Sequence, residues 1–139
     1  MLRIGIIIGS TRPGRNGDRV AQWVRDLAVE HAGDAADFEL VDLKDYALPL
    51  LDEPVPARVA PGRRPHTRRW AERIGSCDAF IVVTPEYTPP PAVLTNAIDY
   101  LYAEWGGKPV GYGGYGAVMA VQKLRAQAGP LRAATRAAA

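Results

Sequence analysis

One stretch of this 139-residue chain has side chains and spacing that suit the binding of a doubly charged anion. Gly9-Ser10-Thr11-Arg12-Pro13-Gly14-Arg15-Asn16-Gly17 follows an apolar run and precedes an amphipathic one. A glycine-rich turn between a strand and a helix aims several backbone N–H groups at one point, and the helix N-terminus adds partial positive charge. Ser10 and Thr11 supply hydroxyl donors, while Arg12 and Arg15 can pair with a dianion. Phosphate is the ligand class that this donor set fits. The turn matches neither the G-x-G-x-x-G dinucleotide pattern nor the Walker pattern with its terminal lysine. The same residues also suit a plain turn, with glycines at positive φ and Ser10 and Thr11 capping the helix.

Nucleophilic and metal chemistry have little to work with. Cys77 is the one cysteine and there are two histidines, so neither an internal disulfide nor a soft-metal site is expected. No Ser-His-Asp or Cys-His arrangement is evident, and no residue is assigned as catalytic or as a metal ligand. Cys77, just before an apolar run, reads as a small buried hydrophobe. A reducing, cytoplasmic setting suits a lone cysteine. The net charge of +2 is too small to argue for a nucleic-acid or membrane partner. The opening apolar run is too short for a membrane helix, and it lacks the small-residue cleavage site of a signal peptide.

The elements that must position the turn read as strands alternating with helices. Residues 3–9 and 79–84 are nearly unbroken runs rich in Ile and Val, which suits strands covered on both faces. Residues 38–42 and 109–112 are weaker strand signals. From Asp18 onward Val20, Ala21, Trp23, Val24, Leu27 and Ala28 recur at helical spacing. Residues 66–74 and 91–101 read as further helices, the second opening on a proline suited to a first turn. Such alternation implies βαβ units, and hence a parallel sheet. The proline-bearing stretch 43–64 reads as a long surface connection. The length suits one domain, assigned to residues 1–128. Residues 129–139, rich in Ala and Arg, are expected to form a frayed helix or disordered tail, leaving the sheet without a fifth strand.

Two further segments complete the pattern: Thr84-Pro85-Glu86-Tyr87 at the end of the third strand, and Tyr112-Gly113-Gly114 after the fourth. Together with the Gly9–Gly17 turn and the Leu94-x-Asn96-Ala97-Ile98-Asp99-Tyr100 run, this sequence resembles the NADPH-dependent FMN reductase family, which includes flavin, quinone, azo and chromate reductases. The resemblance spans roughly residues 1–125. It implies an α/β, flavodoxin-like, doubly wound parallel sheet of order 2-1-3-4, with FMN at the switch point between strands one and three. Carried over by position, Ser10, Thr11, Arg12, Arg15, Asn16 and Gly17 would hold the flavin phosphate. Pro85, Glu86, Tyr87 and Thr88 would line the ring and ribityl chain, and Tyr112, Gly113 and Gly114 would meet the pyrimidine edge. Read on their own, Glu86 also suits a solvated charge and Tyr87 a half-buried loop aromatic.

The implied activity is electron transfer from NADPH or NADH through FMN to a flavin, quinone or similar small acceptor, the flavin carrying the chemistry. Two other readings stay open: a flavin electron carrier, and a degenerate domain that acts through protein contacts. Thr88 stands where the family usually has Asn, and Pro89 and Pro90 follow it. Proline has no N–H, so only Thr88 can offer a backbone donor between residues 88 and 91. Arg58, Arg63, Arg64, Arg68, Arg69 and Arg73 are expected to form a solvated basic face that could also attract the 2′-phosphate of NADPH. A homodimer is expected, covering apolar surface around Tyr100, Tyr102 and Trp105.

Overall fold

The computed structural model describes residues 1–114, 116–131 and 134–137. The β-branched run at the start builds β1 (Leu2–Ile8), whose Ile6, Ile7 and Ile8 are at most 3% exposed because both faces of the strand are covered. The chain continues through α1 (Gly17–Ala32), β2 (Ala36–Asp42), α2 (Pro65–Gly75), β3 (Ala79–Val83), α3 (Ala92–Asp99), β4 (Pro109–Gly113), α4 (Val118–Ala128) and β5 (Ala134–Ala137). Every strand pair is parallel, and the sheet order is 2-1-3-4-5.

The order 2-1-3-4 expected for the first four strands holds, and the absence of a fifth does not. Ala134–Ala137 pairs with β4 from Pro109↔Ala134 to Tyr112↔Ala137, so this part of the expected tail belongs to the sheet. Residues 132, 133, 138 and 139 of that segment lie outside the described residues. Ala-Thr-Arg-Ala has weak strand propensity and no alternation to announce it. What recruits it is the row of unpaired N–H and C=O groups along the β4 edge, a long-range demand. Helix α4 is also poorly marked in the sequence, since its buried positions Ala120, Leu124 and Ala128 are few and mostly small.

Two apolar layers sandwich the sheet. Helix α1 turns Val20, Ala21 and Val24 onto Ile6, Ile8, Phe38 and Val83. Trp23, counted in the apolar repeat, points outward and is 62% exposed. On the other face Trp70 and Ile74 of α2, Leu94 and Ala97 of α3, and Leu124 of α4 meet Ile7, Val41, Phe80 and Val82. Each such large side chain contributes about 1.5–3 kcal/mol on burial. Tyr100 and Trp105, expected at a dimer contact, sit in this core at 1% and 4% exposure. The Trp105 ring packs 5.0 Å from Phe80, and the Tyr100 hydroxyl donates to Pro49 O at 2.9 Å. Burial pushes the Tyr100 phenol up to about 12, and its bond to Asp52 adds to that.

The 43–64 connection is irregular apart from one 3₁₀ turn at Leu43–Asp45; its start packs on the core through Leu43, Tyr46 and Leu48, and the rest is pinned by hydrogen bonds. Asn96 accepts from Leu51 N and donates to Pro49 O, both at 2.9 Å. Glu53 accepts from Arg64 N and Thr67 Oγ1 at the start of α2. Among the described residues no helix is long and apolar enough to cross a membrane.

Candidate functional site

The carboxyl ends of β1, β3 and β4 meet around one cleft, and each contributes a loop. The first loop begins where Gly9 N–H still bonds to Val83 O, keeping the chain in the sheet for one more residue. Ser10 is then 1% exposed with its hydroxyl inward. The turn closes through Arg15 N–H to Arg12 O at 3.1 Å, with Gly14 at φ +73°, a region that side chains with a Cβ rarely enter. Asn16 precedes α1 without capping it by its side chain. No acceptor among the described residues meets the N–H groups of Thr11, Asn16 and Gly17.

The two arginines of this turn have different fates. Arg15 donates to Ser10 O and to both carboxylate oxygens of Asp42, at the end of β2. This bidentate pair, with side chains 11% and 19% exposed, braces the turn against the sheet. Burial opposes ionisation of Asp42, but the Arg15 guanidinium and the Lys44 amide outweigh it and hold the carboxyl below its ordinary range. Arg12 is exposed, has no carboxylate partner among the described residues, and carries its guanidinium 5.9 Å from the Tyr87 ring centre. It is the cation of the turn that remains available. Nothing local in the sequence marks Asp42, a strand-end carboxylate, as the partner of an arginine 27 residues away.

The second loop follows β3. Thr84, 1% exposed, donates its N–H to Gly113 O and turns its hydroxyl onto Pro85 O. The Tyr87 hydroxyl lies 2.7 Å from Ser10 Oγ, so the loops after β1 and β3 are joined by side chains 77 residues apart. Tyr87 N–H bonds to Pro89 O, a tight local turn that leaves Thr88 as the backbone donor of the proline stretch. Thr88 itself is exposed. Glu86 is turned away from the cleft. One of its carboxylate oxygens accepts from Met119 N at 2.5 Å and Ala120 N at 2.9 Å, capping α4. Unpaired N–H groups and the positive end of the helix draw the carboxylate there.

The third loop, after β4, contributes backbone. Gly114 passes so close to β3 that a Cβ would stand 2.4 Å from Thr84 O. Gly113 has open space where its Cβ would be. The Tyr112 side chain belongs to the core at 5% exposure, with its phenol pushed up to about 12 by burial. Its ring therefore faces the core and not the cleft. Gly111, Gly113 and Gly116 also reproduce G-x-G-x-x-G spacing ahead of α4. In this fold the anion position at that helix N-terminus is already taken by the Glu86 carboxylate.

Together the loops enclose a cavity of about 80 Å³. Of the residues expected at the site, Ser10, Arg12, Arg15, Asn16, Gly17, Pro85, Tyr87 and Gly114 line it, while Thr11, Glu86, Thr88, Tyr112 and Gly113 do not. Its volume suits a compact anionic group rather than a whole ring system, since sites for drug-sized ligands run to about 300–1,000 Å³. The donor set is a hydroxyl, amide N–H groups without partners, a helix N-terminus and Arg12. The carboxylate at the end of β2, Asp42, is neutralised by Arg15. These residues fit the phosphate of a mononucleotide. Among the arginines between β2 and β3, Arg73 pairs with Glu39, Arg69 donates to Asp45 O and Arg64 to Asp52 O, while Arg58, Arg63 and Arg68 face solvent.

Comparison with known proteins gives a consistent picture. The family model described as NADPH-dependent FMN reductase matches residues 2–138. The chain is 38% identical over 136 residues to the NAD(P)H-dependent FMN reductase C4B3.06c of Schizosaccharomyces pombe, covering 94% of this chain and 67% of that protein. It is 40% identical over 121 residues to the NAD(P)H-dependent FMN reductase ntnL of a Nectria species, covering 84% and 60%. The chain thus spans about two-thirds or less of these relatives' lengths. Among solved structures, the flavoenzyme NAD(P)H:(acceptor) oxidoreductase FerB of Paracoccus denitrificans superposes with a TM-score of 0.73 at 22% identity, over 100% of this chain and 76% of that one. At that identity the likeness speaks for the fold.

Proposed function

The chain belongs to the NADPH-dependent FMN reductase family, and we propose that it holds FMN in the cleft above β1 and β3 and works as an NAD(P)H-dependent oxidoreductase. The observation that carries this reading is the cavity after β1, lined by the buried Ser10, by Asn16 and Gly17, whose N–H groups have no partner among the described residues, and by Arg12. Bound FMN would supply the redox chemistry that links NADPH or NADH to a flavin, quinone or similar small acceptor.

The protein's part is to bind and orient. Ser10, the amides of Asn16 and Gly17, and Arg12 receive the phosphate, and Arg15 holds the turn in shape through Asp42. Pro85, the Tyr87 ring and the Gly113–Gly114 backbone form the wall on the ring side, with Thr88 N–H as the donor the proline loop can offer. Glu86 serves the site from behind, by fixing the loop to α4. No side chain is assigned a proton transfer.

A cytoplasmic setting and a homodimer belong to the same proposal. Leu50, Leu51, Val55 and Val59 on the 43–64 connection supply exposed apolar surface that Tyr100 and Trp105 do not. The test is titration with FMN and riboflavin by flavin fluorescence, followed by NADPH and NADH oxidation with a quinone present. FMN is expected to bind more tightly than riboflavin. Equal affinities would remove the phosphate cradle, and binding without turnover would leave a flavin carrier.

A further inference from the structure

The hydroxyl of Ser10 is held by two partners other than any ligand. Arg12 N–H donates to Ser10 Oγ at 3.3 Å, and the Tyr87 hydroxyl lies 2.7 Å from the same oxygen. A hydroxyl has one proton and two acceptor lone pairs. A phenol is a far stronger acid than an aliphatic alcohol and is therefore the better donor of the pair. With Tyr87 donating and Arg12 N–H donating, both acceptor positions of Ser10 are filled. The Ser10 proton is then left to point at the cavity that Ser10 lines. We infer that Tyr87 is a positioning residue for the phosphate end of the site: its hydroxyl sets Ser10 as an obligate donor towards a phosphate oxygen. This rests on the reading of the cavity as a phosphate cradle.

The arrangement has a second consequence. A hydroxyl that accepts two hydrogen bonds becomes a stronger donor, because linked bonds polarise one another. Arg12, with its guanidinium 5.9 Å from the Tyr87 ring centre, adds positive charge beside the same pair. The loop after β3 therefore reaches the flavin in two places, with its aromatic ring and, through Ser10, at the phosphate.

The experiment compares Tyr87→Phe, Ser10→Ala and the double variant, each titrated with FMN and with riboflavin. Tyr87→Phe keeps the ring and removes one oxygen from a side chain on a residue 41% exposed, so the fold has little to lose. Riboflavin affinity reports whether the ring site is intact in every variant. Tyr87→Phe is expected to weaken FMN about three- to tenfold and leave riboflavin within about twofold. Ser10→Ala is expected to weaken FMN about tenfold or more, and the double variant should be no worse than Ser10→Ala alone, because Tyr87 acts through Ser10. If Ser10→Ala weakens FMN while Tyr87→Phe leaves it unchanged, the orienting role is overturned and the phosphate cradle stands. Equal loss of FMN and riboflavin in Tyr87→Phe also overturns it, in favour of a ring contact. Unchanged FMN affinity in Ser10→Ala overturns the cradle itself.

Discussion

Replacing Glu86 by Ala separates two roles for a residue that the family resemblance placed against the flavin and the structure turns onto α4. The substitution strips the first turn of α4 of the carboxylate that accepts from Met119 and Ala120 N–H. Loss of a helix cap costs about 0.5–2 kcal/mol, and loss of a negative charge at a helix N-terminus about 0.3–1 kcal/mol. Met119 is 50% exposed, so water can serve its amide, whereas Ala120 is 0% exposed and its amide loses a partner that water replaces poorly. The total should be about 1–2 kcal/mol, or roughly 3–6 °C in Tm for a domain of this size. Glu86→Gln keeps an acceptor oxygen and gives up only the charge, so it should cost about 0.5 kcal/mol. Because Pro85 and Tyr87 flank Glu86, the freed loop must also be reordered when flavin docks. Fixing one more residue costs about 1 kcal/mol, so FMN and riboflavin should both weaken by roughly fivefold. Urea or thermal unfolding followed by circular dichroism, with a flavin titration on the same samples, measures both effects. If Glu86→Ala leaves the unfolding midpoint in place while FMN binding collapses, the carboxylate acts on the flavin and the capping argument is refuted.

Three further outcomes are expected. Arg12→Ala should weaken FMN by about 1.5–3 kcal/mol, the worth of a hydrogen bond to a charged group, and leave riboflavin unchanged by fluorescence titration. Gly114→Ala forces a Cβ towards Thr84 O and should destabilise by about 1–3 kcal/mol in urea unfolding, whereas Gly113→Ala, facing open space, should leave stability unchanged. Because the folded pKa of Asp42 lies below its unfolded value, the stability it adds is present above about pH 4 and is lost as pH falls through the folded value. The gap between the urea midpoints of the parent and Asp42→Asn should therefore be full at neutral pH and close under acid.

The strands and the first turn were legible because each is written in neighbouring residues, whereas the order of the sheet followed from the family resemblance. The isoleucine run of β1 forms a strand wherever both its faces are covered, and a glycine-rich turn at its end must present amides at the start of α1. Sequence also indicated that Ser10 and Arg12 belong together, since two residues on one tight turn cannot be far apart. It could not indicate where the longer side chains of that turn and the next would go. Arg15 was one of two equivalent arginines until β2 brought Asp42 beside it. Glu86 read as a ring contact until α4, 33 residues on, presented amides in need of an acceptor. Tyr112 read as part of a glycine-rich edge, and the alternation of β4 puts its ring in the core instead. The fifth strand had no signal of its own, because the edge of β4 rather than the side chains of residues 134–137 makes it a strand. Local pattern decides which backbone forms, and it does so from the sequence. The direction of a charged or aromatic side chain depends on which distant group lacks a partner, and only the assembled sheet and helices decide that.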